Sequence, residues 1–135
     1  MYRLLHKRGY EDDQIHYMSV LPPDIEKPLG HPEPERQDYN LFDPKQQLSE
    51  AFTQATTMLK AGNQFVFYLY GHAVPDKVSI GNYILTTIQL RDLLATILTE
   101  VEQIIILDTC FSGSFMDDLA GVEKRIFICA NFEVY

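Results

Sequence analysis

Two residues that can act as a nucleophile and its base each follow an apolar run of the sequence. His72 comes after the run from Phe65 to Tyr70, and Cys110 comes shortly after the run from Ile104 to Leu107. Unbroken runs of this length are typical of strands buried on both faces, as in a parallel sheet between helix layers. Ligand sites of open α/β sheets lie at the carboxyl ends of such strands. If the two strands are parallel neighbours, His72 and Cys110 meet at one edge, as thiol catalysis requires.

The residues around these two runs predict the helices and turns that would position them. Asp43-Pro44 suits the start of a helix whose apolar residues face a sheet, and Gly62-Asn63 ends it. Residues 78–85 predict a small hairpin that turns at Gly81-Asn82. Thr86 and Gln89 have the spacing of a capping box, and they open a second amphipathic helix that runs to Val101. A short helix over 114–119 and a last strand over 125–130 complete an α/β fold with a mostly parallel sheet.

The first 43 residues carry weaker signals. Residues 2–8 predict the end of a helix that stops at Gly9, and Ile15 to Met18 predict a short strand. Residues 20–42 form a Pro-rich acidic loop, because five of the seven prolines lie there among many acids. The length of 135 residues fits a single domain over 1–135.

Composition and charge exclude several classes of function. The formal net charge is −8, so the clustered Lys and Arg that nucleic acid or an anionic membrane would require are missing. No apolar run reaches the roughly 18 residues of a transmembrane helix, and the start lacks the apolar core of a signal peptide. Localisation therefore stays open, with the cytoplasm as the default. No histidine or cysteine has metal-ligand spacing and no glycine-rich phosphate loop is present, so no metal and no cofactor are expected.

The two cysteines differ in their surroundings. Cys129 lies within the apolar run 126–129, which indicates a packing thiol. Cys110 instead lies beyond its strand and next to Ser112-Gly113, where the simplest interpretation of the Ser-Gly pair is a tight turn that fixes the backbone around the thiol.

The His and Cys segments together resemble a known family. Tyr68-Leu-Tyr-Gly-His72 and Ile105-Ile-Leu-Asp-Thr-Cys110-Phe-Ser-Gly-Ser-Phe115 are similar to the two catalytic blocks of the caspase-like cysteine peptidases, and most of all to their bacterial legumain-type branch. The stretch from Leu4 to Ser19 resembles the helix-to-strand segment of the same branch. The resemblance implies a caspase-like three-layer sandwich with a mostly parallel central sheet.

The resemblance also implies a role for each matching residue. Cys110 would attack a peptide carbonyl to give a thioester, and His72 would polarise that carbonyl or carry protons to the leaving amine. The backbone N–H groups of Ala73 and Cys110 would form the oxyanion hole. Asp108 would line the pocket for the side chain before the cut, which implies a peptide or protein substrate cleaved after a basic or Asn side chain. Ala73 replaces the usual glycine of the family, and a methyl group there would be strained if the backbone angle were one that only glycine adopts.

Other functions remain open from the sequence. A legumain-like transamidase would use the same residues, and a catalytically degenerate caspase-fold module would only bind partners. The family's first and last strands have no counterpart here, and unpaired sheet edges cost on the order of 1 to 3 kcal/mol per backbone group. We therefore expect a fragment, or a domain whose sheet is completed by a flanking segment or a partner chain, with a gap rather than direct pairing between residues 15–18 and 65–70.

Overall fold

A computed structural model describes residues 5, 7–16, 18 and 43–130. The chain divides into two compact units, Met1–Asp43 and Pro44–Tyr135. In the first unit Leu5 and Lys7 are helical, and the amides of Arg8 and Tyr10 both donate to the Leu5 carbonyl. The helix ends at Gly9, whose φ of 88° is the left-handed conformation that favours glycine. This end of the helix was predicted and is confirmed.

The strand predicted over residues 15–18 is not found at the described positions. Asp12–Gln14 is a 3-10 helix, and Ile15, His16 and Met18 belong to no strand. Ile15 is buried, so its apolar character reflects packing. The Pro-rich acidic loop of 20–42 lies outside the described residues.

The second unit alternates helices and strands as the sequence predicts. Its elements in chain order are α1 (Pro44–Met58), β1 (Gln64–Gly71), β2 (Ala73–Val74), β3 (Lys77–Ile80), β4 (Tyr83–Thr86), α2 (Thr87–Leu94), β5 (Glu102–Thr109), a 3-10 helix (Ser112–Phe115), α3 (Met116–Leu119) and β6 (Arg125–Cys129).

The main sheet is parallel and has β5 at its centre, in the order β1-β5-β6. β1 pairs with β5 from Gln64 opposite Glu102 to Gly71 opposite Thr109, a constant offset along all eight positions. Among the described residues no strand pairs with the other edge of β1. The α/β class and the parallel sheet are therefore confirmed.

One face of this sheet carries the core. Phe52 of α1 packs its ring against Phe65 and Phe67 of β1, with ring centroids 5.4 and 5.8 Å apart. On β5, Ile105 and Leu107 point to the same face and are buried, while the intervening Ile104 and Ile106 are only partly covered. Within the second unit, α1 therefore covers this face, and helix and sheet give two of the three layers expected.

A second, antiparallel sheet follows β1. β2, β3 and β4 pair in that order, and β3 and β4 form the predicted hairpin around Gly81-Asn82, with Gly81 at φ 59°. Strand β2 was not predicted, because two residues are too short to give a sequence pattern. The capping box at Thr86 and Gln89 is present, as predicted.

Helix α2 is shorter than the sequence indicated. It ends at Leu94 instead of continuing to Val101. The Thr96 hydroxyl donates to the Leu93 carbonyl at 2.7 Å, and the Thr96 and Ile97 amides donate to carbonyls three residues earlier. A side chain that competes for backbone acceptors in this way favours the end of a helix. Ile97 and Val101 are nevertheless buried, so their apolar spacing reflects packing of a turn.

Candidate active site

The two candidate catalytic residues lie next to each other at the carboxyl edge of the main sheet. Gly71 and Thr109 are the last paired residues of β1 and β5, and His72 and Cys110 follow them directly. Neighbouring strands are about 4.8 Å apart, so the two backbones leave the sheet side by side. Both residues are exposed, and the Cys110 thiol is free. The parallel arrangement predicted for these two strands is thus confirmed.

No hydrogen bond joins the His72 and Cys110 side chains within the part of the chain that the structure describes. Catalytic hydrogen bonds often form only once substrate is in place, so the proximity of the two strand ends is the more informative feature.

The turn after Cys110 is built on an unusual residue. Phe111 adopts the left-handed conformation with φ 53°, whereas Gly113 does not. A non-glycine residue in this region is uncommon and is held there by surrounding contacts. The tight turn predicted at Ser112-Gly113 is confirmed: the Ser114 amide donates to the Phe111 carbonyl at 3.0 Å and closes a turn around both residues, which are buried in the 3-10 helix that begins there.

Ser114 holds this turn and also reaches the loop beyond His72. Its hydroxyl donates to the Phe111 carbonyl at 2.9 Å and accepts from the Asp76 N–H at 2.8 Å. Asp76 lies between β2 and β3, with φ 61°. Its carbonyl accepts from the Thr87 amide at 3.0 Å and from the Thr87 hydroxyl at 3.2 Å.

Ala73, the candidate second oxyanion donor, has an ordinary backbone. It lies in β2 opposite Val78, and it is not among the described residues with positive φ. The strain that a methyl group would cause at a glycine-only angle therefore does not arise. The Ser79 amide donates to the His72 carbonyl, so His72 and Ser79 form the hydrogen-bonded pair of this ladder. Because such pairs alternate, the N–H of Ala73 points away from β3.

Asp108 is exposed and is held by a tyrosine of the neighbouring strand. The Tyr68 hydroxyl donates to Oδ2 of Asp108 at 3.0 Å. Burial and this hydrogen bond, in that order, raise the pKa of Tyr68. Side chains alternate along a strand, so Asp108 is on the same side of β5 as Ile104 and Ile106, two positions before Cys110, which follows the end of the strand.

A shallow open cavity of about 320 Å³ borders His72 on the hairpin side. Its lining comes from the loop after β1 and from the antiparallel sheet, and consists of His72, Ala73, Val74, Lys77, Ser79 and Ile84. Cys110 and Asp108 are not part of this lining. His72 therefore lies between the cavity and the end of β5.

Three residues of this region were not singled out from the sequence. The contact of Tyr68 with Asp108 could have been predicted, because side chains alternate along paired strands and this alternation places both residues on the same face of the sheet. Phe111 and Ser114 gave no such signal, since their roles depend on how the Asp76 loop folds back onto the turn.

Within the described residues, no group of three His, Cys, Asp or Glu side chains is close enough to hold a metal ion. The described helices include none with the length and apolarity needed to cross a membrane. Comparisons of this chain with protein-family models, with curated proteins and with solved structures gave no match.

Proposed function

We propose that this chain is a cysteine endopeptidase of the caspase-like type, with Cys110 as nucleophile and His72 as its proton carrier. The observation that carries the proposal is the register of β1 and β5, which ends at Gly71 and Thr109 and leaves the two candidate residues on adjacent strand ends. The resemblance of both segments to the caspase-like blocks supports the same assignment.

The chemistry follows from these positions. The thiolate of Cys110 attacks the carbonyl carbon of the scissile peptide, and the C–N bond breaks while His72 delivers a proton to the departing amine. The resulting thioester is attacked by water, which releases the carboxylic acid and returns the thiol. The N–H of Ala73, which points away from the hairpin ladder, and that of Cys110 would stabilise the oxyanion, at about 3 to 4 kcal/mol per donor.

Asp108 supports a preference for a basic side chain, or an Asn side chain, before the cut. Its carboxylate is exposed two positions before Cys110, at the end of β5, and it accepts a hydrogen bond from Tyr68. A positive side chain bound there would be attracted over a short distance, and the overall charge of −8 favours the approach of basic peptides.

An alkylating probe of the active-site thiol tests the proposal. Cys110 is exposed and Cys129 is half-buried, so faster labelling of Cys110 alone is expected from exposure and decides nothing. The informative comparison is the labelling rate of Cys110 in the wild type and in His72→Ala. We expect a drop of about tenfold or more, because His72 would be the general base that takes the thiol proton as the sulfur attacks the probe. An unchanged rate would contradict the dyad and favour a module that only binds partners.

A peptide panel tests the substrate class. Peptides that differ only in the residue before the cut should be cleaved after Arg, Lys or Asn and not after Asp, and Cys110→Ala should abolish cleavage. A preference for Asp would contradict the role of Asp108. Adding an amine acceptor and analysing the products separates hydrolysis from transamidation.

A further inference from the structure

We infer that Ser114 is a positioning residue that couples the loop carrying Cys110 to the loop carrying His72; this inference rests on the proposed function. One hydroxyl group bridges the two loops. It donates to the Phe111 carbonyl, one residue after Cys110, and it accepts from the Asp76 amide, four residues after His72.

Both ends of this bridge are conformationally demanding. Phe111 and Asp76 each have a positive φ, at 53° and 61°. Such angles are disfavoured for residues with a side chain, and they persist where neighbouring contacts fix them. The amide of Ser114 also donates to the Phe111 carbonyl at 3.0 Å, so the turn after Cys110 is held by two bonds from one residue.

The far end of the bridge is anchored in turn. The Asp76 carbonyl accepts two hydrogen bonds from Thr87, the first residue of α2. Thr87 is itself buried. Ser114 therefore connects the turn after Cys110, through Asp76, to the start of a packed helix. The parallel pairing of β1 and β5 ends at Gly71 and Thr109, so by itself it does not fix His72 and Cys110, which follow.

The function of this bridge is to hold the distance between the imidazole and the thiol. Removing the hydroxyl leaves each loop attached to its own strand but frees their relative position. Small displacements of catalytic groups lower rates strongly. Ser114 does not contact the reacting atoms, so it would act on the chemistry by setting the position of Cys110 relative to His72.

A double-mutant cycle tests this coupling. The labelling rate of Cys110 by an alkylating probe is measured in the wild type, Ser114→Ala, His72→Ala and the double variant. We expect Ser114→Ala to slow labelling by about fivefold to tenfold when His72 is present, and to have no effect when His72 is absent. Ser114→Thr, which keeps a hydroxyl, should restore most of the rate.

Controls separate positioning from general loss of structure. Thr57→Ala removes a hydroxyl of α1 that donates to the Gln54 carbonyl in the same helix. This variant should leave the labelling rate unchanged. An equal effect of Ser114→Ala with and without His72 would overturn the inference while leaving the peptidase proposal in place. If His72→Ala alone has no effect on the labelling rate, the peptidase proposal itself fails.

Discussion

At the scale of single residues, the contact between Tyr68 and Asp108 has a measurable acid-base signature. Burial and the hydrogen bond to Asp108 raise the pKa of the Tyr68 phenol above its ordinary value near 10. The folded state therefore favours the neutral phenol. The stability that this contributes is fully present below pH 10 or so and is lost as the pH rises through the raised folded pKa.

We expect Asp108→Asn to lower the pKa of Tyr68, because the charged acceptor is removed while the effect of burial stays. Ultraviolet titration of phenolate absorbance measures this, with the Tyr68 contribution obtained as the difference between each protein and its Tyr68→Phe counterpart. Tyr70 is the matched control. It is on β1, as Tyr68 is, it pairs with Asp108 of β5, and its side chain is 75% exposed. A Tyr68 pKa that does not move in Asp108→Asn would show that the hydrogen bond is not formed in solution.

At the scale of elements, a polar side-chain pair reinforces the backbone ladder between β5 and β6. Gln103 and Arg125 lie opposite each other at the start of the two strands. Nε of Arg125 donates to Oε1 of the buried Gln103 at 2.9 Å, and Nη1 donates to the Leu119 carbonyl at 3.2 Å. Burial lowers the pKa of Arg125, yet an arginine remains charged at neutral pH. The pair thus connects both strands to the end of α3.

Arg125→Ala should lower the free energy of unfolding by about 1 to 3 kcal/mol, because it leaves the Gln103 oxygen and the Leu119 carbonyl without this donor. Urea denaturation measures the loss. The control is Arg91→Ala, which removes an arginine whose partners Asp92 and Asp118 are exposed. Exposed pairs of this kind contribute about 0 to 1 kcal/mol. Similar losses in the two variants would contradict the structural role of Arg125.

The elements also show what the sequence could and could not predict. The capping box at Thr86 and the apolar runs of β1 and β5 are local signals, and those elements formed at the predicted positions. The predicted burial of both faces is wrong for β1, where alternate residues such as Val66 and Tyr68 are exposed. Helix α2 was overextended because Thr96 competes for a helix carbonyl while the apolar spacing continues through a buried turn. The positions of His72 and Cys110 were predictable because they follow from parallel pairing. The bridge through Ser114 was not, since it joins residues 38 positions apart in sequence.

At the scale of the whole second unit, the two faces of the main sheet differ in how far their side chains are buried. Helices pack against the face that carries Phe67, Ile105 and Leu107. The other face shows Val66 and Ile126 at 41% and 58% exposure. Parallel sheets are ordinarily covered on both faces, so this outward face is the least typical feature of the unit. It also carries Tyr68 and Asp108, which lie toward the carboxyl ends of their strands.

This asymmetry predicts unequal effects for the same substitution on the two faces. Ile105→Ala, at a position that is 0% exposed, should cost about 2 to 5 kcal/mol of unfolding free energy, because it leaves a cavity in the core. Ile126→Ala, on the strand next to it and facing outward, should cost less than about 1 kcal/mol. Urea denaturation compares the unfolding free energies of the two variants directly, provided that the slope of free energy against urea concentration is the same in both. A loss at Ile126 as large as that at Ile105 would show that the outward face is covered in solution, and a loss that depends on protein concentration would identify a second copy of the chain as the cover.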